Sequence, residues 1–467
     1  MSTSPAPRSS LLTPLAWLAG VAALAYLWLG WCAFPASNWN EFRLAPTFAL
    51  VHGGTIYPPA DGGPLSTWIY GPIGLLVNLP ATLARSASAA IEIAGVLNLL
   101  TLVVPLALIC LGAPELRARG RSVSLLAFAT AVLLLPTTSL QFQVADHTAI
   151  ALGLLSCLLL VRSGGRQVIV PAALAALALW SKQTALYLLP AQALWLFASG
   201  QRRAAGRYAA WATGFSLVLL GVSGVLFGFS ELWLNLVEIP ARLPWGDVSD
   251  KLLRRAPQLA VQLGLPILVL LALARTGRWP AASTQSGQFL RLALYVAVAS
   301  VALGFPSFCK IGGDLNALHA WFYLAPALVV VILAQDLPRW DAPVLVAVIL
   351  LARAPEFRTL PTSPQTAALV QAEQISRGNP SAVWFPDNPL VTYFTDGKFY
   401  HVEDGIATRH LAGLGLREAS FRRHLPRHLA GVVYPANQTE FFALQLLPDF
   451  NRCVRSGEWT VFVRAAK

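Results

Sequence analysis

Charged residues are scarce in this chain of 467 residues, at 12% of the total, whereas apolar residues make up 56%. Uncharged runs of about 20 residues recur along it, and a helix of about 20 apolar residues matches the ~30 Å hydrocarbon core of a bilayer. In lipid every backbone polar group must be paired internally, which favours helices. We therefore predict an all-α polytopic membrane protein.

Several familiar signals are also missing. The chain has no Walker-type phosphate loop, no Gly-x-Gly-x-x-Gly after a strand and no Cys or His cluster with zinc spacing, which argues against ATP-driven transport. No internal repeat is evident, which argues against a transporter built from inverted halves. The five cysteines, at positions 32, 110, 157, 309 and 453, are scattered and define no disulfide framework.

The uncharged runs predict about 11 transmembrane helices. They cover residues 11–34, 93–112, 122–145, 148–161, 167–181, 183–201, 208–230, 256–274, 292–309, 315–335 and a short run at 342–352. The first run lacks a small-residue cleavage site, so we interpret it as a retained helix rather than a signal peptide.

One further uncharged run, residues 64–84, decides the topology. Gly71, Pro72, Gly74 and Pro80 interrupt it, and a proline inside a helix costs about 3 kcal/mol. We expect it to lie along or partly into the outer interface instead of crossing.

The arginines then fall on one side of the membrane, as the positive-inside rule requires. The short loops concerned contain Arg117, Arg119, Arg121, Arg162, Arg166, Arg202, Arg203, Arg207, Arg275 and Arg278. The net charge of +12 comes mostly from these loops, where arginines set the orientation of the helices and contact anionic lipid. A nucleic-acid partner is therefore not favoured.

Lysine is rare, with five lysines against 29 arginines. Lys182 and Lys310 end predicted helices on the outward side, where the positive-inside rule does not explain them. A lysine that snorkels at a helix end is one interpretation. The other is contact with a phosphate, to which Arg254 and Arg255 in the outward loop before the 256–274 helix would also contribute.

Nine acids of residues 1–354 stand at outward positions in the predicted topology, and three of them are functional candidates. Glu41 follows the first helix within Asn38-Trp39-Asn40-Glu41-Phe42-Arg43, Asp146 lies between two helices beside His147, and Asp314 lies in Gly313-Asp314-Leu315. Ionisable groups at membrane boundaries are costly to bury and are often functional. The alternative for Glu41 is a solvated loop acid paired with Arg43.

These segments resemble the GT-C superfamily of polyprenyl-phosphate-sugar glycosyltransferases, which includes protein O-mannosyltransferases and the aminoarabinose transferases of lipid A. The resemblance covers residues 11–354. It rests on Glu41 in the first loop, Ile56-Tyr57-Pro58-Pro59 and Tyr70-Gly71-Pro72, Asp146 in the next loop, Ser181-Lys182-Gln183-Thr184, and Lys310 to Asn316. Unlike many members, the chain has Asn40 before a lone Glu41 instead of an acidic pair.

The resemblance implies an inverting glycosyltransferase. Glu41, with Asp146, would be catalytic, and Glu41 would deprotonate the acceptor hydroxyl as it attacks the anomeric carbon. Lys182, Lys310, Arg254 and Arg255 would bind the donor phosphate. Tyr57, Tyr70, His147 and Asp314 would position the acceptor or the loops. The partners implied are a polyprenyl-phosphate-linked sugar, a glycan, lipid or protein acceptor, and membrane lipid.

No cofactor is expected. A divalent cation shared by Glu41, Asp146 and His52 is conceivable, but hard cations need several oxygen ligands and only two acids are well placed. His319 and His52 are interpreted as helix-end or packing residues.

Residues 355–467 change character and predict a small soluble α/β domain beside the membrane domain of residues 1–354. Strand-like runs occur at 382–385, 391–394, 431–434 and 459–463. Asp396-Gly397 is typical of a tight turn. The odd helix count places this domain outside the cytoplasm, where it would serve recognition or stabilisation.

The abundance of Arg and Ala and the sole Met at position 1 indicate a high-GC bacterial genome, hence an inner-membrane protein with a periplasmic C-terminal domain. Two other functions remain open from sequence. A transporter or flippase of a lipid-linked glycan would also use an outward basic cavity but needs no base, and a non-catalytic assembly protein would need neither Glu41 nor Asp146.

Overall fold

The computed structural model describes residues 11–60, 62–66, 68–335 and 341–464. The first ten residues of the predicted membrane domain and the last three of the predicted C-terminal domain are outside these ranges. The helices are α1 (Leu12–Ala33), α2 (Asn38–Val51), α3 (Ile73–Leu76), α4 (Ala87–Cys110), α5 (Pro114–Ala118), α6 (Arg121–Leu133), α7 (Thr137–Gln141), α8 (Ala145–Arg162), α9 (Ile169–Leu179), α10 (Leu188–Ala198), α11 (Arg202–Phe227), α12 (Phe229–Trp233), α13 (Ile239–Arg242), α14 (Val248–Leu259), α15 (Leu265–Arg275), α16 (Gln285–Cys309), α17 (Ala320–Ala334), α18 (Asp341–Thr359), α19 (Ala367–Gly378), α20 (Pro389–Asp396), α21 (Glu403–Leu411), α22 (Glu418–Arg422) and α23 (Phe442–Gln445). The strands are β1 (Val383–Trp384), β2 (Gly431–Pro435), β3 (Arg452–Ser456) and β4 (Trp459–Val463).

Among the described residues, six helical segments are long and apolar enough to cross a membrane, fewer than the 11 predicted. They are Leu12–Ala36, Ala87–Cys110, Ala145–Arg162, Arg202–Phe227, Val248–Arg275 and Gln285–Cys309. The difference arises because several uncharged runs form shorter helices. The α9 helix, for example, has 11 residues, about 16 Å at 1.5 Å per residue, and α6 and α17 are also short. The protein is therefore mainly helical with membrane-type helices, as composition predicts.

A buried core of small and aliphatic residues joins α1, α4, α6, α8, α9, α10, α16 and α17. Alanines are frequent at these contacts, since small side chains let helices approach closely. By contrast, the window of Val248–Arg275 is only 11% buried and that of Arg202–Phe227 only 17%. These two helices present apolar side chains to the surroundings, as a lipid-facing helix does.

The 64–84 run does not form a continuous helix. It contains the four-residue α3 and a 3₁₀ turn at Leu79–Leu83, as its glycines and prolines predict. It lies against the segment that carries Lys182, since the Ile73 amide donates to the Trp180 carbonyl at 3.2 Å and Gln183 Nε2 donates to the Ile69 carbonyl at 2.7 Å.

Gly71 allows this close approach. A Cβ atom there would lie 1.8 Å from the Trp180 carbonyl oxygen. We expect Gly71→Ala to lower the free energy of unfolding by about 1–3 kcal/mol, because one of the two segments must shift. Thermal unfolding in detergent measures this. Gly214→Ala is the matched control, since a Cβ at Gly214 meets nothing within 4 Å. Equal stability of the two variants would show that the segments are not packed together in solution.

The C-terminal region contains a four-stranded mixed sheet of order β1-β2-β4-β3. β1 pairs parallel with β2, and the other pairs are antiparallel. Three of the four predicted strands overlap observed strands. The predicted strand at 391–394 is wrong, because these residues lie in α20, which Pro389 starts at its first turn. The predicted turn at Asp396-Gly397 is the end of that helix, where Gly397 has φ of 63°.

The two regions meet without a sharp boundary at residue 354, since α18 continues to Thr359. The C-terminal sheet region contacts the segment between α2 and α3 through several hydrogen bonds. The Val402 amide donates to the Leu65 carbonyl at 3.0 Å, and the Leu65 amide donates to His401 Nδ1 at 3.0 Å. Arg409, which is 1% exposed, donates to the Pro58 carbonyl at 2.9 Å.

Candidate functional site

Asp146 lies at the centre of a buried polar cluster at the start of α8. Its side chain is 2% exposed, and its Oδ2 atom lies 2.5 Å from Lys182 Nζ. Asn316 Nδ2 donates to the same oxygen at 3.0 Å, and His319 Nε2 lies 2.6 Å from Oδ1. The position in the first turn of α8 adds the favourable field of the helix amino terminus. The structure thus joins two residues that the sequence selected for separate roles.

His319 is a functional candidate that sequence reasoning missed. It is 0% exposed and connects Asp146 to Tyr187, whose Oη lies 2.6 Å from His319 Nδ1. Tyr187 in turn donates to Tyr323 Oη at 3.2 Å. The available signal was the position of His319 three residues after Asn316, immediately before the apolar α17. Interpreting it as a packing residue overlooked that a buried imidazole needs polar partners.

Lys182 lies between the cluster and Tyr70, which belongs to the segment between α2 and α3. It precedes the 3₁₀ turn Gln183–Tyr187 in an extended conformation, and its Nζ atom lies 5.1 Å from the centroid of the Tyr70 ring. The Arg43 guanidinium lies 5.3 Å from the same ring and 4.3 Å from that of Trp39. Cation–π contacts of this kind stabilise a cation that is partly removed from water. Tyr70 therefore lies close to both cations, and its role in positioning the acceptor or the loops stays a prediction.

A narrow polar cavity lies beside the cluster, lined by Arg43, Trp68, Gly74, Val77, Asn78, Asn98, Thr101, Gln143, Val144, Ala145, His147 and Thr148. His147 Nδ1 lies 2.7 Å from Asn98 Oδ1, whereas the buried Oε1 atom of Gln143 has no hydrogen-bond partner among the described residues. The cavity has about 10 Å³ of free volume, room for about one water molecule.

Glu41 lies elsewhere, at the contact between α2 and the C-terminal region. It is 1% exposed, so the interpretation as a solvated loop acid is wrong. Its carboxylate accepts hydrogen bonds from Asn388 Nδ2 at 2.7 Å and from the Leu390 and Val391 amides at 2.8 and 3.0 Å. These amides belong to the first turn of α20. A carboxylate there accepts hydrogen bonds from N–H groups that have no partner within the helix, and it interacts favourably with the helix dipole. In this arrangement Glu41 anchors the C-terminal region, and its role as catalytic base stays a prediction.

Burial raises the pKa of Glu41 to about 8. The three hydrogen bonds lower this pKa, but the effect of burial is larger. Asp387, whose pKa burial also raises to about 8, and Glu403, whose pKa burial raises to about 7, lie in the same region. An acid with a raised pKa in the folded state loses stabilisation as pH rises from its unfolded pKa, near 4, to its folded pKa.

We therefore expect the stability of the C-terminal region to fall as pH rises from 6.5 to 8. His401, whose pKa burial lowers from 6.5 to about 4, has the opposite effect only below pH 6.5. Limited proteolysis of the full-length protein across this range measures the change, and Glu41→Gln should reduce its slope. Stability that rises between pH 6.5 and 8 would contradict the burial of these acids.

The other predicted phosphate-binding cations are held by nearby backbone and acids. Lys310 Nζ donates to the Pro240 and Ala241 carbonyls at 2.6 and 2.8 Å. Arg255 Nη2 lies 2.7 Å from Asp314 Oδ2, and Arg254 pairs with Asp250 one turn earlier in α14. Both arginines are substantially exposed.

The structure therefore brings Lys182, rather than all four predicted cations, to Asp146. Tyr57 has a supporting contact, since its Oη donates to the Tyr70 carbonyl at 2.6 Å. Asp314 pairs with Arg255 and lies two residues before Asn316, which contacts Asp146.

A metal site is not formed by the residues that the structure describes. No three His, Cys, Asp or Glu side chains among them converge on a common point. His52 packs its ring 5.7 Å from that of Tyr393 and shares no ligand cluster with Asp146.

Comparisons of sequence and fold find no matching protein family, no matching curated protein and no matching solved structure. The functional interpretation therefore depends on the residues themselves.

Proposed function

We propose that this protein is an inverting glycosyltransferase of the bacterial inner membrane. It would move a sugar from a polyprenyl-phosphate donor to a glycan, lipid or protein acceptor at the periplasmic face. The long apolar helices and the one-sided arginine loops support the membrane location and the orientation. The sequence resemblance to GT-C enzymes supports the reaction class.

The observation that carries the proposal is the buried pair of Asp146 and Lys182, at 2.5 Å. Taking both charges out of water costs several kcal/mol per ion, which their attraction offsets only in good geometry. Such pairs inside membrane proteins mark substrate and ion sites. This one also lies beside a polar cavity lined by arginine, asparagine, glutamine and tryptophan, which are side chains suited to sugars and phosphates.

Charge exchange within this pair supplies a mechanism. The donor phosphate attracts the Lys182 ammonium away from Asp146, and the carboxylate that loses its counter-ion becomes a stronger base. Asp146 then removes the proton from the acceptor hydroxyl, whose oxygen forms a bond to the anomeric carbon. The bond from that carbon to the phosphate oxygen breaks, and the polyprenyl phosphate leaves with the electron pair, stabilised by Lys182. Attack opposite the phosphate inverts the anomeric centre.

His319 and Asn316 have positioning roles in this scheme. They hold the two oxygens of Asp146 while Lys182 exchanges partners, so that the base keeps its orientation. Placed groups of this kind contribute to rate by keeping the reacting atoms in near-attack geometry.

The test is release of polyprenyl phosphate from a panel of polyprenyl-phosphate sugars by the purified protein in lipid, with an acceptor extract. Release that requires both the donor and the extract supports the transferase. Movement of the intact lipid-linked glycan between leaflets, without release, would favour a flippase instead.

A further inference from the structure

The two edges of the four-stranded sheet in the C-terminal region differ in exposure. At one edge, β1 contains only Val383 and Trp384, and both residues are buried. At the other edge, β3 runs from Arg452 to Ser456, and all five of its residues are exposed. A strand at an exposed edge presents unpaired backbone N–H and C=O groups to any chain that can become extended. The β3 edge is therefore a surface to which a further strand can be added.

The hairpin register shows which backbone groups of β3 point outward. Ser456 pairs with Trp459 across a two-residue turn that begins at Gly457, whose φ is 59°. In such a hairpin the two residues that flank the turn form a hydrogen-bonded pair, and hydrogen-bonded and non-hydrogen-bonded pairs then alternate along the strands. Cys453 and Arg455 are therefore the residues of β3 that direct their backbone N–H and C=O groups away from β4.

The side chains of β3 favour an acidic partner. Arg452 and Arg455 form no ion pair with a described residue, whereas Arg464, just beyond β4, pairs with Asp449. Successive side chains of a strand point to opposite faces, so two arginines that are three positions apart lie on opposite faces of the sheet. An added strand with two acids at the same spacing would place one carboxylate opposite each arginine, and opposite charges across strands attract.

The same arginines disfavour the pairing of β3 with a second copy of itself. Such a pair of strands would contain two arginines from each copy, and like charges across neighbouring strands are destabilising. Charged side chains on an edge strand are a common means of preventing self-association. The charge of β3 therefore selects against another copy and in favour of a partner of opposite sign.

We infer that β3 is a docking strand for an extended acidic segment of a partner protein. The segment adds to the sheet through the backbone of Cys453 and Arg455 and places its carboxylates beside Arg452 and Arg455. In this mode of recognition main-chain hydrogen bonds supply affinity, and side chains at fixed spacing supply specificity. The inference uses no feature of the Asp146 cluster, so it does not depend on the proposed transferase.

Peptide binding to the full-length protein in lipid nanodiscs tests the inference. The probe is a fluorescein-labelled peptide, Thr-Glu-Val-Thr-Glu-Val-Thr, whose glutamates are three positions apart. The matched control, Thr-Glu-Val-Glu-Thr-Val-Thr, has the same composition, but its glutamates share one face, so only one of them can lie directly opposite an arginine. We expect fluorescence anisotropy to show about tenfold tighter binding of the probe, equivalent to about 1.4 kcal/mol.

Two sets of variants separate the backbone contribution from the charge. Cys453→Pro removes an outward N–H group at a position where an edge strand tolerates proline, and it should weaken probe binding by about tenfold. Cys453→Ser keeps this N–H group and should bind the probe like the wild type. The double variant Arg452→Glu with Arg455→Glu should lose the acidic probe and bind a peptide in which lysines replace both glutamates.

Three results would overturn the inference. The first is equal binding, or no binding, of the two acidic peptides to the wild type. The second is probe binding that neither Cys453→Pro nor the double charge reversal changes in a folded protein. The third is disulfide crosslinking of Cys453 between copies under mild oxidation that excess probe does not reduce, because a second copy would then occupy this edge.

Discussion

Lys182→Met is expected to destabilise the protein by about 3–5 kcal/mol, because it leaves the Asp146 carboxylate buried without its counter-ion. Methionine has a similar length to lysine, so the loss measures charge more than packing. Asn316 and His319 would still contact Asp146, but neither supplies the fixed charge of an ammonium. Thermal unfolding in detergent, followed by intrinsic fluorescence, measures the difference.

Two comparisons sharpen this experiment. The double variant Asp146→Asn with Lys182→Met should be more stable than Lys182→Met alone, because no unpaired charge remains. Arg254→Met breaks an ion pair with Asp250 at the surface, where the Arg254 side chain is 72% exposed. This change should alter the free energy of unfolding by less than about 1 kcal/mol. A Lys182→Met protein as stable as Arg254→Met would mean that Asp146 and Lys182 are not buried together.

Asp146→Asn is expected to lower the rate of sugar transfer by about 10²- to 10⁴-fold, the contribution typical of a positioned general base. Asparagine has nearly the same shape and retains an oxygen that can accept from Asn316 or Lys182. It cannot accept the proton of the acceptor hydroxyl at neutral pH. Transfer rates from a radiolabelled polyprenyl-phosphate sugar, measured in lipid under saturating donor, report the loss.

The matched control is Asp314→Asn, which removes a carboxylate in the same segment. Asp314 is half-exposed and paired with Arg255. It neither accepts a proton nor contacts the phosphate in the proposed chemistry, so the change removes at most its predicted positioning role. Its transfer rate should stay within about tenfold of the wild type. A rate loss at Asp314 as large as that at Asp146 would indicate a general disturbance of the 308–319 segment.

The membrane character of the fold could be predicted from composition, because lipid permits little besides helices. The number of spans could not, since an uncharged run does not reveal where its helix ends. The runs at 167–181 and 315–335 contain α9 and α17, which are shorter than the runs. The segment 391–394 has β-branched and aromatic residues typical of a strand, but Pro389 and the distant carboxylate of Glu41 favour a helix start there.

The sequence indicated which residues belong to the candidate site, but it did not indicate which of them contact one another. Asp146 and Lys182 stand out because each separates two uncharged runs of the sequence. Their pairing depends on how α8 packs beside the segment after α9, which local sequence does not encode. The partners of Glu41 are 347 to 350 residues away along the chain, so its anchoring contact could not be inferred from the first loop. His319 was missed because a lone histidine before an apolar helix is more often a packing residue.

The most direct test compares two acids in one assay: release of polyprenyl phosphate by Asp146→Asn and by Glu41→Gln, each verified as folded and normalised to the wild type. With Asp146 as the base and Glu41 as the anchor of α20, release is abolished by Asp146→Asn and retained by Glu41→Gln at a pH and temperature where the C-terminal region stays protected from protease. Abolished release in Glu41→Gln together with near-normal release in Asp146→Asn would contradict this assignment and return the role of base to Glu41.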